Sequence, residues 1–177
     1  MARQDVLQAT FEYLSGASQP IPADVFQVVQ SGFPYGNWAL PGVNAIYKGR
    51  TFDTAERILP SIWILVPQGD ERWPMSGFKF VDYRVIVYVA DMVPGNSRVA
   101  AGGAAAVYGF YGVMDALAAL VRTNPTLISP SYPQGALVKF AVRSKTAESH
   151  ERMENTLLIS AVFNIEATEQ VAVTIPS

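Results

Sequence analysis

The sequence predicts an α+β fold, in which a mostly antiparallel sheet of four to five strands carries one long and one short helix packed on one face. Two segments, Phe80 to Ala90 and Leu157 to Ile165, alternate side chains with a period of two, as half-buried strands do. Between them runs a nearly charge-free stretch from about Asn96 to Arg122, whose large apolar residues recur at helical spacing. A length of 177 residues suits one domain, 1–177, and a chain of this size buries about 70% of its unfolded surface.

At the amino end, Val6, Leu7, Thr10, Phe11 and Leu14 follow the helical period, and Ser15-Gly16 with Pro20 and Pro22 ends a short amphipathic helix. Val25 to Gln30 reads as a first strand. Ser31 to Arg50 then crowds Gly, Pro and aromatic residues without a steady period, which predicts a long structured loop. Asp53-Thr54-Ala55-Glu56 has a helix-capping pattern, but Pro60 leaves room for only about two turns. The first aromatic loop insertion is therefore set at about 31–57. Ser61 to Val66 is a second strand. A second loop insertion, about 67–78, holds Pro67, Gly69 and Pro74.

Phe80 to Ala90 is the clearest strand, with Val81, Tyr83, Val85, Val87 and Val89 turned towards the long helix. After that helix, Asn124-Pro125 and Ser129-Pro130-Ser131-Tyr132-Pro133 make another loop, which leads to a strand from Leu137 to Arg143. This strand should form a hairpin with the last one, whose inward residues are Leu157, Ile159, Ala161, Phe163 and Ile165. Their connection, about 144–155, holds Lys145, Glu148, His150, Glu151, Arg152 and Glu154. It is too charged to bury, and is expected to project as an arm able to clasp a neighbour. The sheet face away from the helices would carry Asp82, Arg84, Lys139, Arg143, Asn164 and Glu166 among Ile86, Tyr88, Leu158 and Val162. Such a mixture suits an interface or a wetted channel wall, with plain solvent exposure as the alternative.

The long helix has two stripes. Val107, Phe110, Met114, Leu117, Ala118 and Val121 form a broad apolar one that should cover the sheet, while Ala105, Gly109, Gly112, Ala116 and Ala119 line the opposite side with almost no bulk. Charge enters only at the margin, as Asp115 and Arg122. A helix apolar all round is normally buried all round, so either the chain's own loops or another subunit should lie on the smooth side. We take the second reading, with Ala105, Gly109, Gly112, Ala116, Ala119, Lys145, Glu151 and Arg152 as the expected oligomer interface. Glycine costs up to about 1 kcal/mol relative to alanine in a helix, a loss that close approach of a neighbour would offset. The aromatic residues of the loops, Tyr35, Trp38 and Trp73 above all, are of the kind that anchors interfaces and are expected to dock partners, although loops that cap their own core use the same residues.

Composition and motifs exclude much. There is no cysteine, so disulfides, thiolate metal sites and cysteine nucleophiles are absent. The charged fraction is 16% and the hydrophobic fraction 50%, against a norm of about 25% charged, yet no apolar run nears the roughly 18 residues of a membrane span. The start, Met1-Ala2-Arg3-Gln4-Asp5, lacks a secretory core, and a cytoplasmic, unprocessed chain with no membrane partner is expected. A net charge of −2 gives no attraction to nucleic acid. Gly102-Gly103 and Gly109 do not form a dinucleotide fingerprint, and no P-loop, HExxH or GxSxG sequence occurs. His150 reads as a solvated histidine in the charged connection, and Asp70-Glu71 as part of a turn. No catalytic residue, cofactor or metal site is expected. The competing class is a small enzyme or ligand-binding domain with its pocket between the aromatic loops and the sheet.

The order of elements, with the strand at Phe80 to Ala90, the Ala/Gly-rich helix and the closing hairpin ending ENTLLISAVFNIEATEQ, resembles the tail terminator (tail completion) proteins of long-tailed bacteriophages. The resemblance covers mainly Ser61 to Gln170 and lies in element order and texture. It implies a structural virion protein forming a hexameric ring that ends growth of the tail tube and joins the tail to the head and neck. Its implied partners are copies of itself, the tail tube protein and neck or head-tail connector proteins, with DNA passing through the lumen without specific binding. The implied location is the tail or neck of the virion, after assembly in the host cytoplasm. Another head-to-tail connector or neck protein is the nearest alternative. The aromatic loops depart from the compact family pattern.

Overall fold

A computed structural model describes residues 3–49, 58–75, 77–94, 101–135, 143–153 and 156–173. Its elements run α1 (Arg3–Ser15), β1 (Gln27–Val29), β2 (Ala45–Lys48), β3 (Ser61–Met75), β4 (Phe78–Pro94), α2 (Ala101–Thr123), β5 (Arg143–Met153) and β6 (Thr156–Ala172). The strands form one sheet in the order β1-β2-β3-β4-β6-β5. Every neighbouring pair is antiparallel except β2 with β3, which run parallel. The α+β class thus holds, while the strand count of four to five is corrected to six among the described residues.

Three departures from the expected elements have physical reasons. Ala45–Lys48 lies inside the expected first loop, and all four of its residues are buried, so it lacks the alternation that betrays a strand. Ser61 does begin a strand, but that strand continues through the expected second loop to Met75, in register with β4. Its prolines are accommodated by two register shifts, one between Leu65 and Gln68 and one between Arg72 and Met75, which leave Pro67 and Pro74 outside the regular ladder. Finally, Arg143–Met153 is a strand paired to β6 along its whole length. The segment expected as a charged connection at about 144–155 is thus strand over most of its length, with 154–155 outside the described residues. The expected strand from Leu137 lies outside the described residues, apart from Arg143.

Helix α1 lies across β3 and β2, and α2 across β4. Val6, Ala9, Phe11 and Leu14 of α1 pack in one core with Ile46, Ile62, Ile64, Val85, Val87 and Val89 of the sheet and Phe110, Val113, Leu117 and Val121 of α2. The face expected to lie inward on β4 and β6 does so where it is described, from Val81 to Val89 and from Ile159 to Ile165; the side chain of Leu157 lies outside the described residues. On the other face Tyr47 stacks on Trp63, ring centroids 4.1 Å apart, in a small second cluster with Ala45.

The end of α1 is set by Gly16, at φ +76°. Its N–H donates to Tyr13 O at 3.1 Å and that of Ala17 to Glu12 O at 3.0 Å, the paired bonds that close a helix on a left-handed residue. Next to this turn the aromatic loop is tied down. Ser18 N–H donates to Tyr35 O at 2.8 Å and Ala39 N–H to Ser15 O at 3.2 Å.

Candidate assembly surfaces

The inner stripe of α2 is as expected where it is described: Phe110, Met114, Leu117 and Val121 are buried, joined by Val113. On the opposite side Gly109, Gly112 and Ala119 are exposed and Ala116 is half-buried. A Cβ built on Gly109 or Gly112 meets no heavy atom within 4 Å. The smooth ridge is therefore open at these positions, neither roofed nor crowded by the described parts of the chain. The side chain of Ala105 lies outside the described residues, as does that of Val107. Tyr111, Asp115 and Arg122, all exposed, flank the ridge.

A network from α1 positions α2 and the loop behind it. The Tyr13 hydroxyl donates to Leu120 O and lies 3.2 Å from the Thr123 hydroxyl. Tyr132 donates to Asp5 at 2.6 Å. Glu12, on the same helix, is fully buried and accepts from the Ser131 hydroxyl at 2.6 Å, the Ser131 N–H at 2.9 Å, Gln8 at 2.9 Å and the Ile21 N–H at 3.0 Å. Burial pushes its carboxyl up, but these donors outweigh it and hold the group below its ordinary value. Lys48, also buried, donates to Gln8 and sits 5.0 Å from the centre of the Phe11 ring. Burial pushes its ammonium down, opposed by the charges of Glu12 and Asp24. Sequence reasoning missed this pair, because Glu12 and Lys48 each look like a solvated charge in their own segment.

The three expected docking residues do not form one surface. Trp38 is half-buried against the main core; its ring N–H donates to Leu40 O at 2.9 Å and Val43 O at 3.0 Å, and Phe33 packs edge-on to it at 5.2 Å. Tyr35 is half-buried and edge-on to the same Phe33 at 5.7 Å. Trp73, by contrast, is 62% exposed near the β3–β4 turn. Lys79 lies over the Trp73 ring at 5.7 Å and pairs with Glu71 at 2.9 Å. Trp38→Ala should therefore cost about 2 kcal/mol of stability, and Trp73→Ala less than about 0.5 kcal/mol. Urea unfolding of the two variants checks this; equal losses would contradict the assignment.

Of the remaining expected interface residues, Lys145, Glu151 and Arg152 belong to β5, at register positions opposite Asn164, Leu158 and Leu157 of β6. They stand at the edge of the sheet, apart from the α2 ridge. On the outer sheet face Asp82 receives Arg72 through two bonds of 2.5 and 2.9 Å and the Thr168 hydroxyl at 2.5 Å. The Arg72 guanidinium foremost holds the Asp82 carboxyl below its ordinary value. Arg84 reaches Asn164 at 3.2 Å. These polar groups alternate with half-buried Ile86, Tyr88 and Val162, so the face is a hydrogen-bonded, mixed surface. Lys139 lies outside the described residues.

Among the described residues no cluster of His, Asp or Glu could hold a metal ion, and no helix is long and apolar enough to cross a membrane. The chain matches no known protein-family model, and no curated protein sequence matches it.

Proposed function

We propose that this chain is a structural subunit that works by assembling with copies of itself into a ring, in the manner of a phage tail terminator. In that role the ring ends growth of the tail tube and joins the tail to the head or neck, and DNA passes through its lumen without being gripped. Another neck or head-to-tail joining component is the nearest alternative, because the same ring and the same surfaces would serve it. No catalytic step is assigned to any residue.

The observation that carries the reading is the open ridge of Gly109, Gly112 and Ala119 on α2, whose inner stripe already fills the core. Exposed backbone without side chains is costly for a helix and allows a second helix or strand to approach closely. Support for the tail role is the order of elements from Ser61 onward. Among the described residues, one surface cavity of about 280 Å³ is lined by Val25, Phe26, Gln27 and Tyr47.

The ridge separates folding from assembly. Since a Cβ has free space at both glycines, Gly109→Ala and Gly112→Ala should each raise the stability of the isolated subunit by up to about 1 kcal/mol. Gly109→Leu should also fold but abolish rings in negative stain and large species in light scattering, with or without tail tubes. A wild-type protein that stays monomeric in the presence of tail tubes, or a Gly109→Leu variant that assembles normally, would overturn the proposal.

A further inference from the structure

Two long strand borders of the sheet are built differently. Beyond the β2 pairing, which stops at Ile64, the outer border of β3 carries Pro67, Gly69 and Pro74 and two register shifts. Prolines and bulges of this kind keep a border strand from pairing with stray chains. Among the described residues β5 ends the other side of the sheet. Its 11 residues pair with β6 position by position without a shift, and they include neither proline nor glycine. A regular strand of this length at a sheet border offers its outer main-chain groups to one more strand.

The sequence of β5, RSKTAESHERM, is charged enough to repel an arbitrary strand, but it complements itself. Laid antiparallel on a second copy about Ala147, Arg143 faces Glu151, Lys145 faces Ser149 and Thr146 faces Glu148, each twice by symmetry. Opposite charges at facing positions stabilise an antiparallel pair, and like charges oppose it. Nine positions pair in this register, with two Arg–Glu facings and no like-charged one. Centring on Glu148 instead pairs all 11 residues and faces Lys145 with Glu151 twice, but it sets Glu148 directly against itself at the centre. Centring on Ser149 faces no two full charges of opposite sign, and centring on Thr146 or His150 pairs only seven residues.

We infer that two copies of this chain join through β5, antiparallel and centred on Ala147, so that their sheets run on as one. A ladder of nine positions supplies about eight to ten main-chain hydrogen bonds, and a two-fold axis through Ala147 makes the contact self-complementary. The inference does not rest on the ring reading and concerns a different surface from the α2 ridge.

Because the chain has no cysteine, a single introduced thiol reports on its own position. In the full-length Ala147→Cys variant the two Cα atoms would lie about 4.5–5.5 Å apart across the axis, within the span a disulfide bridges. In Lys145→Cys the two copies of position 145 would be roughly 14 Å apart. Under mild oxidation Ala147→Cys should give disulfide-linked dimers at least about tenfold faster than Lys145→Cys, and mixing Lys145→Cys with Ser149→Cys should give the mixed dimer. Arg143→Glu alone or Glu151→Arg alone should weaken dimerisation about tenfold, and the double exchange should restore it, with circular dichroism confirming that each variant is folded. Equal rates at 145 and 147, a maximum at another position, or no cross-link at 147 would overturn the inference. Gly109→Cys and Ala119→Cys read the helix surface separately, so cross-linking there but not at 147 removes this contact and leaves the ring proposal standing.

Discussion

Glu12→Gln should destabilise the fold by about 3 kcal/mol, the cost of removing one partner from a buried charged cluster. The amide keeps the size of the carboxylate but turns one acceptor into a donor, and every group around it already donates: Ser131 through hydroxyl and N–H, Gln8, and the Ile21 N–H. Lys48 at the same time loses one of the two charges, Glu12 and Asp24, that offset its burial. The sign of the pH effect follows from the lowered carboxyl. In the folded state Glu12 binds its proton less readily than at the ordinary value of 4.5, so its contribution is complete above that value and is lost as pH falls through the lower, folded one. The gap between wild type and variant in chemical denaturation should therefore be widest near neutral pH and narrow in acid. A gap that is constant from neutral to strongly acidic pH would show that Glu12 is not ionised in the fold.

Gly16→Ala should cost about 3 kcal/mol, lowering the melting temperature by roughly 6–12 °C for a chain of this size. Two effects add. The backbone at φ +76° is unfavourable for any residue with a Cβ, and the added methyl would stand 2.2 Å from Asn37 O and 2.8 Å from Ala39 N, main-chain atoms that cannot turn aside. Gly32 separates them. It has the same φ of +76° with nothing within 4 Å of a Cβ, so Gly32→Ala carries only the conformational cost, about 1 kcal/mol. Similar losses at the two glycines would mean that the aromatic loop is not seated on the end of α1. Differential scanning calorimetry of both variants settles it.

The elements that were legible in the sequence are those whose burial is one-sided. Strand β4 shows its pattern because Val85, Val87 and Val89 meet the helices while Arg84, Ile86 and Tyr88 do not, and α2 shows its own because its inner and outer halves differ in bulk. Pattern fails where that asymmetry fails. In β2 both faces are covered, Tyr47 by Trp63 and Lys48 by Phe11 and Gln8, so its four residues read as loop. The second half of β3 is held by its pairing with β4 in spite of Pro67, Gly69 and Pro74, and no local signal announces a partner strand. In β5, charges placed at a sheet border read as an exposed connection.

The candidate surfaces divide in the same way. That Gly109 and Gly112 share one side of the helix follows from spacing alone, but that the described parts of the chain leave them open could only be seen in the fold. Whether an aromatic residue in a loop serves its own fold or a partner could not, because Trp38 and Trp73 have the same chemistry. They differ in surroundings: Trp38 lies against the core with Phe33 and the carbonyls of Leu40 and Val43 beside its ring, whereas Trp73 is exposed.

The pairing of β4 with β6 orders events in time. Their register runs from Phe78 opposite Ala172 to Pro94 opposite Thr156, so the middle of the sheet joins stretches made far apart during synthesis. Until β6 has been made, β4 lacks its partner on one flank, and such delayed, distant pairing is where newborn chains stick to one another. The central pairing of the sheet is thus closed only once β6 has been made, well after β4.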